Sequence, residues 1–225
     1  MTGDTPQAAE VHQKLRGFFI TGTDTDVGKT YVASCIARTL TQQGKNITPR
    51  KPIASGAIRQ ADGTLVSEDA RLLKQACQST ESIETICPFQ FEQALSPQTA
   101  IELNNQFITT YDLVNACAFN PEELYLVEGA GGFYSPISSD GLNKDLAQQL
   151  GLPVVIVVMN KLGCINQTLL TIEAVKNAGL TPHSIVLNCA DKTNFYEGIS
   201  EWVELPIFSV NYAQDQQLQI IENFA

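Results

Sequence analysis

The chain has 225 residues, of which 24 are acidic and 14 are basic, and its formal net charge at pH 7 is −10. Such a charge repels a nucleic-acid backbone, and no stretch approaches the roughly 20 consecutive apolar residues of a membrane span. The length suits one well-buried α/β domain, and the first 16 residues lack the apolar segment of a secretory signal. We therefore expect a cytoplasmic protein that binds neither nucleic acid nor membrane.

Residues 1–16 are polar and show no hydrophobic period, so we expect a flexible extension followed by a single domain over residues 17–225. Apolar runs of strand length then alternate with stretches of helical period. The predicted strands cover residues 18–21, 47–52, 123–127, 153–159 and 184–188, and the predicted helices cover 29–43, 67–77, 109–117, 166–177 and 215–223. Between residues 77 and 110 the period is weak, which predicts irregular structure or a substrate-facing insertion. The alternation predicts an α/β fold with a mainly parallel sheet, helices on both faces, and ligand sites at the carboxyl ends of the strands.

A glycine-rich loop joins the first predicted strand to the first helix and reads Gly22-Thr-Asp-Thr-Asp-Val-Gly-Lys-Thr30. Backbone N–H groups in such a loop bind phosphate together with the helix N-terminus, and Lys29 adds a mobile positive charge. The Thr30 hydroxyl falls where it can ligate the Mg²⁺ that accompanies a nucleotide. Thr23 stands where the strict pattern has glycine, so the loop is a variant. The sequence predicts a P-loop NTPase-like fold that binds a nucleoside triphosphate.

Two ionisable residues fall at predicted strand ends. Glu128 follows the strand over 123–127 and precedes a glycine-rich stretch; it is either a magnesium acid or a strand-end glutamate before a turn, and the nearby phosphate loop favours the first. Lys51 ends the second predicted strand, which a right-handed crossover would bring close to the loop in sheet order. It could neutralise charge on a transferring phosphoryl group, or it could be a solvated lysine.

Other polar residues also have two interpretations. Helix physics alone makes Asp69 a cap at the start of the helix over 67–77. Ser55 could donate to a second ligand or form a turn, and Asn188 could bind a nucleobase edge or complete a cap or turn. The backbone amides of residues 162–166 open another helix and could hold a carboxylate.

The six cysteines show no C-x-x-C spacing, and only His12 and His183 could join them in a metal site. Cys35 falls within a predicted helix and Cys189 follows a predicted strand, which are ordinary positions for a small hydrophobic residue. We predict buried free thiols rather than metal ligands or disulfides.

Five features taken together resemble the dethiobiotin synthetase family of the P-loop NTPase superfamily. They are the loop Gly22-Thr-Asp-Thr-Asp-Val-Gly-Lys-Thr30, Lys51-Pro-Ile-Ala-Ser-Gly56, Val127-Glu-Gly-Ala-Gly-Gly132, Lys161-Leu-Gly-Cys-Ile-Asn166 and the late Asn188. The resemblance runs from about residue 17 to residue 206. It implies an ATP-dependent cyclo-ligase of biotin biosynthesis that closes the ureido ring of dethiobiotin from 7,8-diaminopelargonate and CO2, with bicarbonate as the source of the CO2. The implied intermediates are a carbamate and a carbamic-phosphoric anhydride.

The resemblance also implies roles for individual residues in the reaction. Lys51 would stabilise the carbamate and the transferring phosphoryl group, Lys29 would assist it, and Thr25 would lie beside the reacting groups. Ser55 would contact the diamine. Residues of the neighbouring subunit would bind the substrate carboxylate, and they are Gly163, Cys164, Ile165 and Asn166. The resemblance therefore implies a homodimer.

The resemblance further implies sites for Mg²⁺ and ATP. Thr30, Asp69 and Glu128 would hold the Mg²⁺, directly or through water. The residues that would bind the nucleotide are Asp26, Val27, Gly28, Lys29, Thr30, Tyr31, Asp69, Glu128, Gly129, Ala130, Gly131, Asn188, Pro206, Ile207 and Phe208. Asp26 stands where the family commonly has glutamate.

Three other classes of protein share parts of this pattern. A dimeric switch ATPase usually has a lysine early in its phosphate loop, whereas Asp24 occupies that spacing here. A ligase that amidates a larger acid often carries a glutaminase domain, for which we expect no room within 225 residues. A nucleotide-binding module without chemistry would not need Lys51 and two candidate magnesium acids.

Overall fold

The computed structural model describes residues 17–118, 120, 122–189, 198–211 and 219–224. The strands of this part of the chain are β1 (Gly17–Gly22), β2 (Ile47–Arg50), β3 (Ile53–Ser55), β4 (Ile58–Arg59), β5 (Leu65–Val66), β6 (Phe89–Phe91), β7 (Leu124–Gly132), β8 (Val154–Met159), β9 (Pro182–Cys189) and β10 (Ile207–Asn211). The helices are α1 (Lys29–Gln42), α2 (Glu68–Ala76), α3 (Ile83–Ile86), α4 (Pro97–Leu103), α5 (Thr110–Ala116), α6 (Asn143–Leu150) and α7 (Cys164–Asn177), with a 3₁₀ turn at Ile199–Glu201.

Six of the strands form one sheet in the order β10-β9-β8-β1-β7-β2, and each neighbouring pair is parallel. β3 and β6 form a small parallel pair, whereas β4 and β5 form an antiparallel one. The carboxyl ends of the parallel strands therefore meet at one edge of the main sheet, where a ligand site is expected.

Side chains along the central strands alternate between two apolar cores. Phe19 and Ile156 face a core that includes residues of α5, α6 and α7, whereas Phe18 and Val157 face a core that includes residues of α1 and α2. Because successive side chains of a strand point to opposite faces, a strand that is apolar throughout needs helices on both sides. The prediction of a mainly parallel α/β sheet with helices on both faces is confirmed.

β7 is longer than the sequence predicted. We expected this strand to end before Glu128, but it runs through Gly132. Its parallel pairing with β1 continues to the pair Gly22 and Gly132, with a register shift between Ile20 and Gly22. The glycines that suggested a turn instead form a bulge within the strand, because the pairing with β1 overrides their local preference.

β2 is shorter than predicted, and one strand separates it from β1. It ends at Arg50 rather than at Pro52, because the Lys51 N–H donates to the Ile86 carbonyl, 2.9 Å away, and Pro52 has no N–H to donate. In sheet order β7 lies between β2 and β1, and Lys51 still lines the same cavity as the phosphate loop, so the expected closeness holds across one intervening strand. Lys51 therefore reaches the site from the side of β7 that faces away from β1.

Two helix or loop predictions also change. Residues 77–110 are not irregular throughout, because they contain α3, β6 and α4. The predicted helix over 215–223 lies partly outside the described residues, and residues 219–223 are not helical. There the N–H groups of Gln219 and Ile221 donate to side chains of α1, at Cys35 and Thr39. Residues 1–16 lie outside the described part, so their flexibility and the single domain over 17–225 stay predictions.

The six cysteines are free and buried, as predicted. Burial raises the pKa of the Cys77, Cys87 and Cys117 thiols to about 12, so these groups stay protonated and unreactive. Within the described residues no helix has the length and apolar character needed to cross a bilayer.

An aromatic cluster joins β1 to the C-terminal segment and contains a histidine. The His183 ring centroid lies 4.8 Å from that of Phe18 and 5.5 Å from that of Phe224. Burial lowers the pKa of His183 below its ordinary value of 6.5. The unfolded chain therefore takes up the proton first, and the free energy of unfolding should decrease as the pH falls below about 6.5.

Replacing His183 with phenylalanine should remove this component of the pH dependence. Urea unfolding at pH values between about 5 and 8 would measure it, and the stability curve of His183→Phe should be flatter than that of the wild type over the acid half of the range. His12 is the same in both proteins, so the difference between the two curves reports on His183 alone. Parallel curves for the two proteins would contradict the prediction.

Candidate active site

A cavity of about 380 Å³ opens at the carboxyl ends of β1, β2 and β7. One of its lining residues, Ala54, was missed by the sequence analysis, because a small apolar side chain at a strand end carries no chemical signal. The other lining residues were all predicted as site residues, and they are Thr25, Asp26, Gly28, Lys29, Thr30, Lys51, Ser55, Asp69, Glu128, Ala130 and Gly131.

The phosphate loop turns into α1 at Gly28, which adopts a left-handed conformation with φ 87°. A Cβ at this position would lie 2.1 Å from the Asn188 side-chain nitrogen, so only glycine fits. Asn188 is buried, and its Nδ2 donates to the Val27 carbonyl at 3.1 Å. The Asn188 amide at the end of β9, a strand separated from β1 by β8, therefore holds the loop in place.

Lys51 is the best-coordinated cation of the site. Its ammonium lies 2.6 Å from Glu128 Oε1, 3.0 Å from the Gly129 carbonyl and 3.1 Å from Asp69 Oδ2. Burial alone would lower the pKa of Lys51, but the attraction of the Glu128 and Asp69 carboxylates outweighs burial and raises it. Lys51 is therefore a fixed positive charge, and the alternative of a solvated lysine is wrong because its side chain is only 4% exposed.

Lys29 provides the second positive charge of the cavity. Its Nζ donates to the Asp24 carbonyl of its own loop at 3.1 Å. Burial, followed by repulsion from Lys51, lowers the pKa of Lys29 to about 8. A bound anion would reverse this shift, because a nearby negative charge favours the ammonium form.

The acids of the site converge on the Thr30 hydroxyl, which lies 2.8 Å from Asp69 Oδ1 and 2.9 Å from Glu128 Oε1. A hydroxyl has one hydrogen and can donate to only one of these oxygens at a time. The buried Oε2 of Glu128 has no hydrogen-bond partner among the described residues. Two carboxylates and one hydroxyl are hard oxygen ligands of the kind that Mg²⁺ takes in nucleotide sites, so the donor set fits this ion.

Asp69 is not the helix cap that helix physics alone predicts. Ser67 caps α2, because its side chain accepts from the Ala70 N–H, and Asp69 lies one residue inside the helix with its carboxylate turned to the site. The positive charge of Lys51 is the main cause of the lowered pKa of Asp69. Asp69 is therefore ionised at neutral pH.

A second cavity of about 440 Å³ adjoins the first and shares Thr25, Asp26, Ser55, Ala130 and Gly131 with it. Its other lining residues come from two loops that the sequence analysis did not single out, and they are Ala94, Leu95, Ser96, Pro97 and Ser135. The sequence predicted a possible substrate-facing insertion between residues 77 and 110, and residues 94–97 of this cavity fall within that range. The two cavities together provide a polar end beside the loop and a more apolar end beside α4.

The remaining predicted site residues line neither of these two cavities. Val27 belongs to the loop and is buried, Tyr31 donates its hydroxyl to the Asn211 carbonyl, and Gly129 contributes the carbonyl that Lys51 binds. The residues Gly163, Cys164, Ile165 and Asn166 form the start of α7, whereas Pro206, Ile207 and Phe208 lead into and begin β10. Their predicted contacts with substrate carboxylate and adenine stay predictions.

The parallel sheet, the loop between β1 and α1, and the lysine and acids around it define a P-loop nucleotide-binding protein. A family model described as an AAA domain matches residues 16–213. The fold is similar to that of the signal recognition particle receptor FtsY from Elizabethkingia anophelis in complex with GDP, with a TM-score of 0.53 and 13% identity. That match covers 100% of this chain and 63% of the receptor chain, and it shows the fold alone.

Relatives that are similar in sequence define the family of the chain more narrowly than the fold does. The ATP-dependent dethiobiotin synthetase BioD of Ruthia magnifica subsp. Calyptogena magnifica is 40% identical over 174 residues, which cover 77% of this chain and 80% of that protein. The enzyme of the same name from Bacillus velezensis is 39% identical over 176 residues, covering 77% of this chain and 74% of that protein. The chain belongs to the ATP-dependent dethiobiotin synthetase family, and the resemblance found in the sequence is confirmed.

Proposed function

We propose that the chain catalyses the ATP-dependent closure of the ureido ring of dethiobiotin from 7,8-diaminopelargonate and CO2. The observation that supports this most directly is the buried Lys51 ammonium, held by Glu128, Asp69 and the Gly129 carbonyl beside the phosphate loop. A fixed charge of this kind stabilises negative charge that develops during phosphoryl transfer, without reorganisation at the moment of reaction.

The proposed reaction has three steps. One substrate amine attacks CO2 and loses a proton, which gives a carbamate. A carbamate oxygen then attacks the γ-phosphorus of ATP and displaces ADP, which gives a carbamic-phosphoric anhydride. The second amine attacks the anhydride carbon, phosphate leaves, and loss of a proton completes the ring.

Individual residues have assigned roles in this proposal. Lys51 stabilises the carbamate and the transferring phosphoryl group, Lys29 assists from the loop, and Thr25 and Ser55 orient the diamine. Thr30, Asp69 and Glu128 would hold Mg²⁺, which neutralises charge on the nucleotide phosphates when bound. The backbone of the loop and of residues 128–131 binds the phosphates, and Asn188 with residues 206–208 borders the adenine. The six free cysteines are consistent with a reducing compartment, and we propose that the enzyme is cytoplasmic.

Product formation tests this proposal. The purified chain is incubated with Mg-ATP and bicarbonate, with and without 7,8-diaminopelargonate, while phosphate release and product mass are followed. Phosphate release that requires the diamine, together with the mass of dethiobiotin, would support the proposal. Hydrolysis that is independent of the diamine would instead favour a switch ATPase.

We also propose that the chain forms a homodimer through the face that carries the start of α7. Three large apolar side chains are exposed there: Leu162 at 86%, Leu170 at 63% and Tyr134 at 54%. Tyr134 and Leu170 line the same open groove of about 620 Å³. A second copy on this face would cover these side chains and bring residues 163–166 to the partner's substrate site.

Leu170→Glu should disrupt this dimer, because a charge at the centre of an apolar contact is costly to desolvate. Analytical ultracentrifugation should give twice the 24.5 kDa chain mass for the wild type and the chain mass for the variant. Leu103→Glu is the matched control, because Leu103 is also exposed, at 59%, but lies at the end of α4. A Leu170→Glu variant that stays dimeric would exclude this face.

A further inference from the structure

The bulge in β7 carries the carbonyl that binds Lys51. Between the β1 pairs at Ile20 and Gly22, β7 advances from Glu128 to Gly132, so three β7 residues stand opposite one residue of β1. A bulge of this size leaves backbone carbonyls outside the regular ladder, and each needs another donor. Lys51 satisfies the first of them, at Gly129.

Asn143, the first residue of α6, binds two of the carbonyls that follow Gly129 in β7. Its Nδ2 donates to the Ala130 carbonyl at 2.9 Å and to the Gly132 carbonyl at 3.1 Å. Both partners can only accept, so the amide nitrogen must face them. Asn143 is fully buried, and its Oδ1 has no hydrogen-bond partner among the described residues.

Two further contacts fix the same segment. The Gly132 N–H donates to Ser135 Oγ at 2.8 Å, and the Asn143 N–H donates to the Ser135 carbonyl at 2.9 Å. A Cβ on Gly129 would lie 2.5 Å from Asn143 Oδ1, so the amide packs directly against the backbone behind Lys51. We call Ser135 and Asn143 the bulge clamp.

We propose that Asn143 is a positioning residue for the ring-closing reaction, and this inference rests on the proposed function. By holding the Ala130 and Gly132 carbonyls, Asn143 fixes the bulge whose preceding carbonyl orients the Lys51 ammonium. Ala130 and Gly131 also line both cavities, so the bulge clamp fixes the position of backbone that lines the proposed substrate site. Asn143 itself lines neither cavity, which distinguishes it from the residues that touch substrate.

Asn143→Leu tests the proposal, because leucine has a similar size but cannot donate to the carbonyls. We expect kcat for dethiobiotin formation to fall by about 10–100-fold and the KM for ATP to rise by a clearly smaller factor, because residues 128–131 also face the nucleotide phosphates in the proposed function. Hydrogen exchange of the backbone amides of residues 129–132 should become faster. Gln148→Leu is the matched control on the same helix, because it loses an amide bond to the Ala178 carbonyl far from the bulge and should match the wild type in all three measurements.

Ser135→Ala provides a second test in case Asn143→Leu does not fold, since it removes the acceptor for the Gly132 N–H. Because Ser135 also lines the second cavity, hydrogen exchange at Gly132 is the decisive measurement for this variant. It should accelerate exchange at Gly132 and lower kcat in the same direction by a smaller factor. Wild-type kcat in a folded Asn143→Leu or Ser135→Ala protein would overturn the proposal. So would a fall in kcat that is no larger than the rise in the KM for ATP and that comes with a lower melting temperature, since that indicates general destabilisation. If the wild-type chain makes no dethiobiotin, the proposed function fails, and unchanged exchange at residues 129–132 would then overturn the clamp separately.

Discussion

Lys51→Gln should lower the rate of dethiobiotin formation by about 10²–10³-fold while the affinity for ATP stays within about threefold of the wild type. The ammonium is buried between Glu128 and Asp69, and it is needed most when charge develops on the transferring phosphoryl group. The glutamine amide can still donate to Glu128, but it has no charge. Single-turnover phosphate release and equilibrium nucleotide binding measure the two quantities separately.

Loss of Lys51 also leaves the buried Glu128 without its ion-pair partner, which can cost about 3–5 kcal/mol of stability. Thermal unfolding should therefore be measured first, and the assays run well below the midpoint. Lys45→Gln is the control, because Lys45 is exposed beyond the end of α1. Unchanged turnover in Lys51→Gln would remove this lysine from the chemistry, and an equal loss of ATP affinity would make it a nucleotide ligand instead.

Gly28→Ala should abolish tight nucleotide binding and reduce the free energy of unfolding by about 2–4 kcal/mol. The positive φ of Gly28 already disfavours alanine, and the added methyl group would lie 2.1 Å from Asn188 Nδ2. Asn188 would have to move and give up its hydrogen bond to the Val27 carbonyl. Nucleotide titration and urea unfolding would measure both effects, and an ATP affinity loss of less than about tenfold would contradict the prediction.

Gly44→Ala separates the cost of the positive φ from the cost of the contact with Asn188. Gly44 also has a positive φ, of 77°, but no atom lies within 4 Å of the position that a Cβ would take. Gly44→Ala should therefore lower the free energy of unfolding only through the positive φ, by about 1–2 kcal/mol, and should leave the ATP affinity unchanged. Adding Asn188→Ala to Gly28→Ala should restore part of the stability, because the second change removes the contact. Equal losses in Gly28→Ala and Gly44→Ala would show that Asn188 does not restrain the loop.

Much of the site could be predicted because its signals are local. The loop from Gly22 to Thr30 carries its own pattern, and the all-apolar run of β8 requires cover on both faces. Glu128 and Lys51 were found because each lies near a strand end that the hydrophobic pattern marks. The family resemblance then assigned Asp69 to the site, which helix physics alone treated as a cap.

Other parts of the site depend on contacts between residues far apart in the chain. No local pattern indicates that β7 pairs between β1 and β2, that its glycines form a bulge, or that Asn143 holds the bulge from α6. Ala54 and the wall formed by residues 94–97 were missed for the same reason, since small or apolar residues carry no chemical signal by themselves.

The sequence by itself determined the parallel α/β fold, the phosphate loop and the lysine and acids beside it, because periodicity and motif spacing act over a few residues. Only the tertiary structure decided the strand order, the three groups that hold the Lys51 ammonium and the amide that fixes the wall behind it. Those features arise from pairing and packing between distant segments, whose free energies depend on the whole fold.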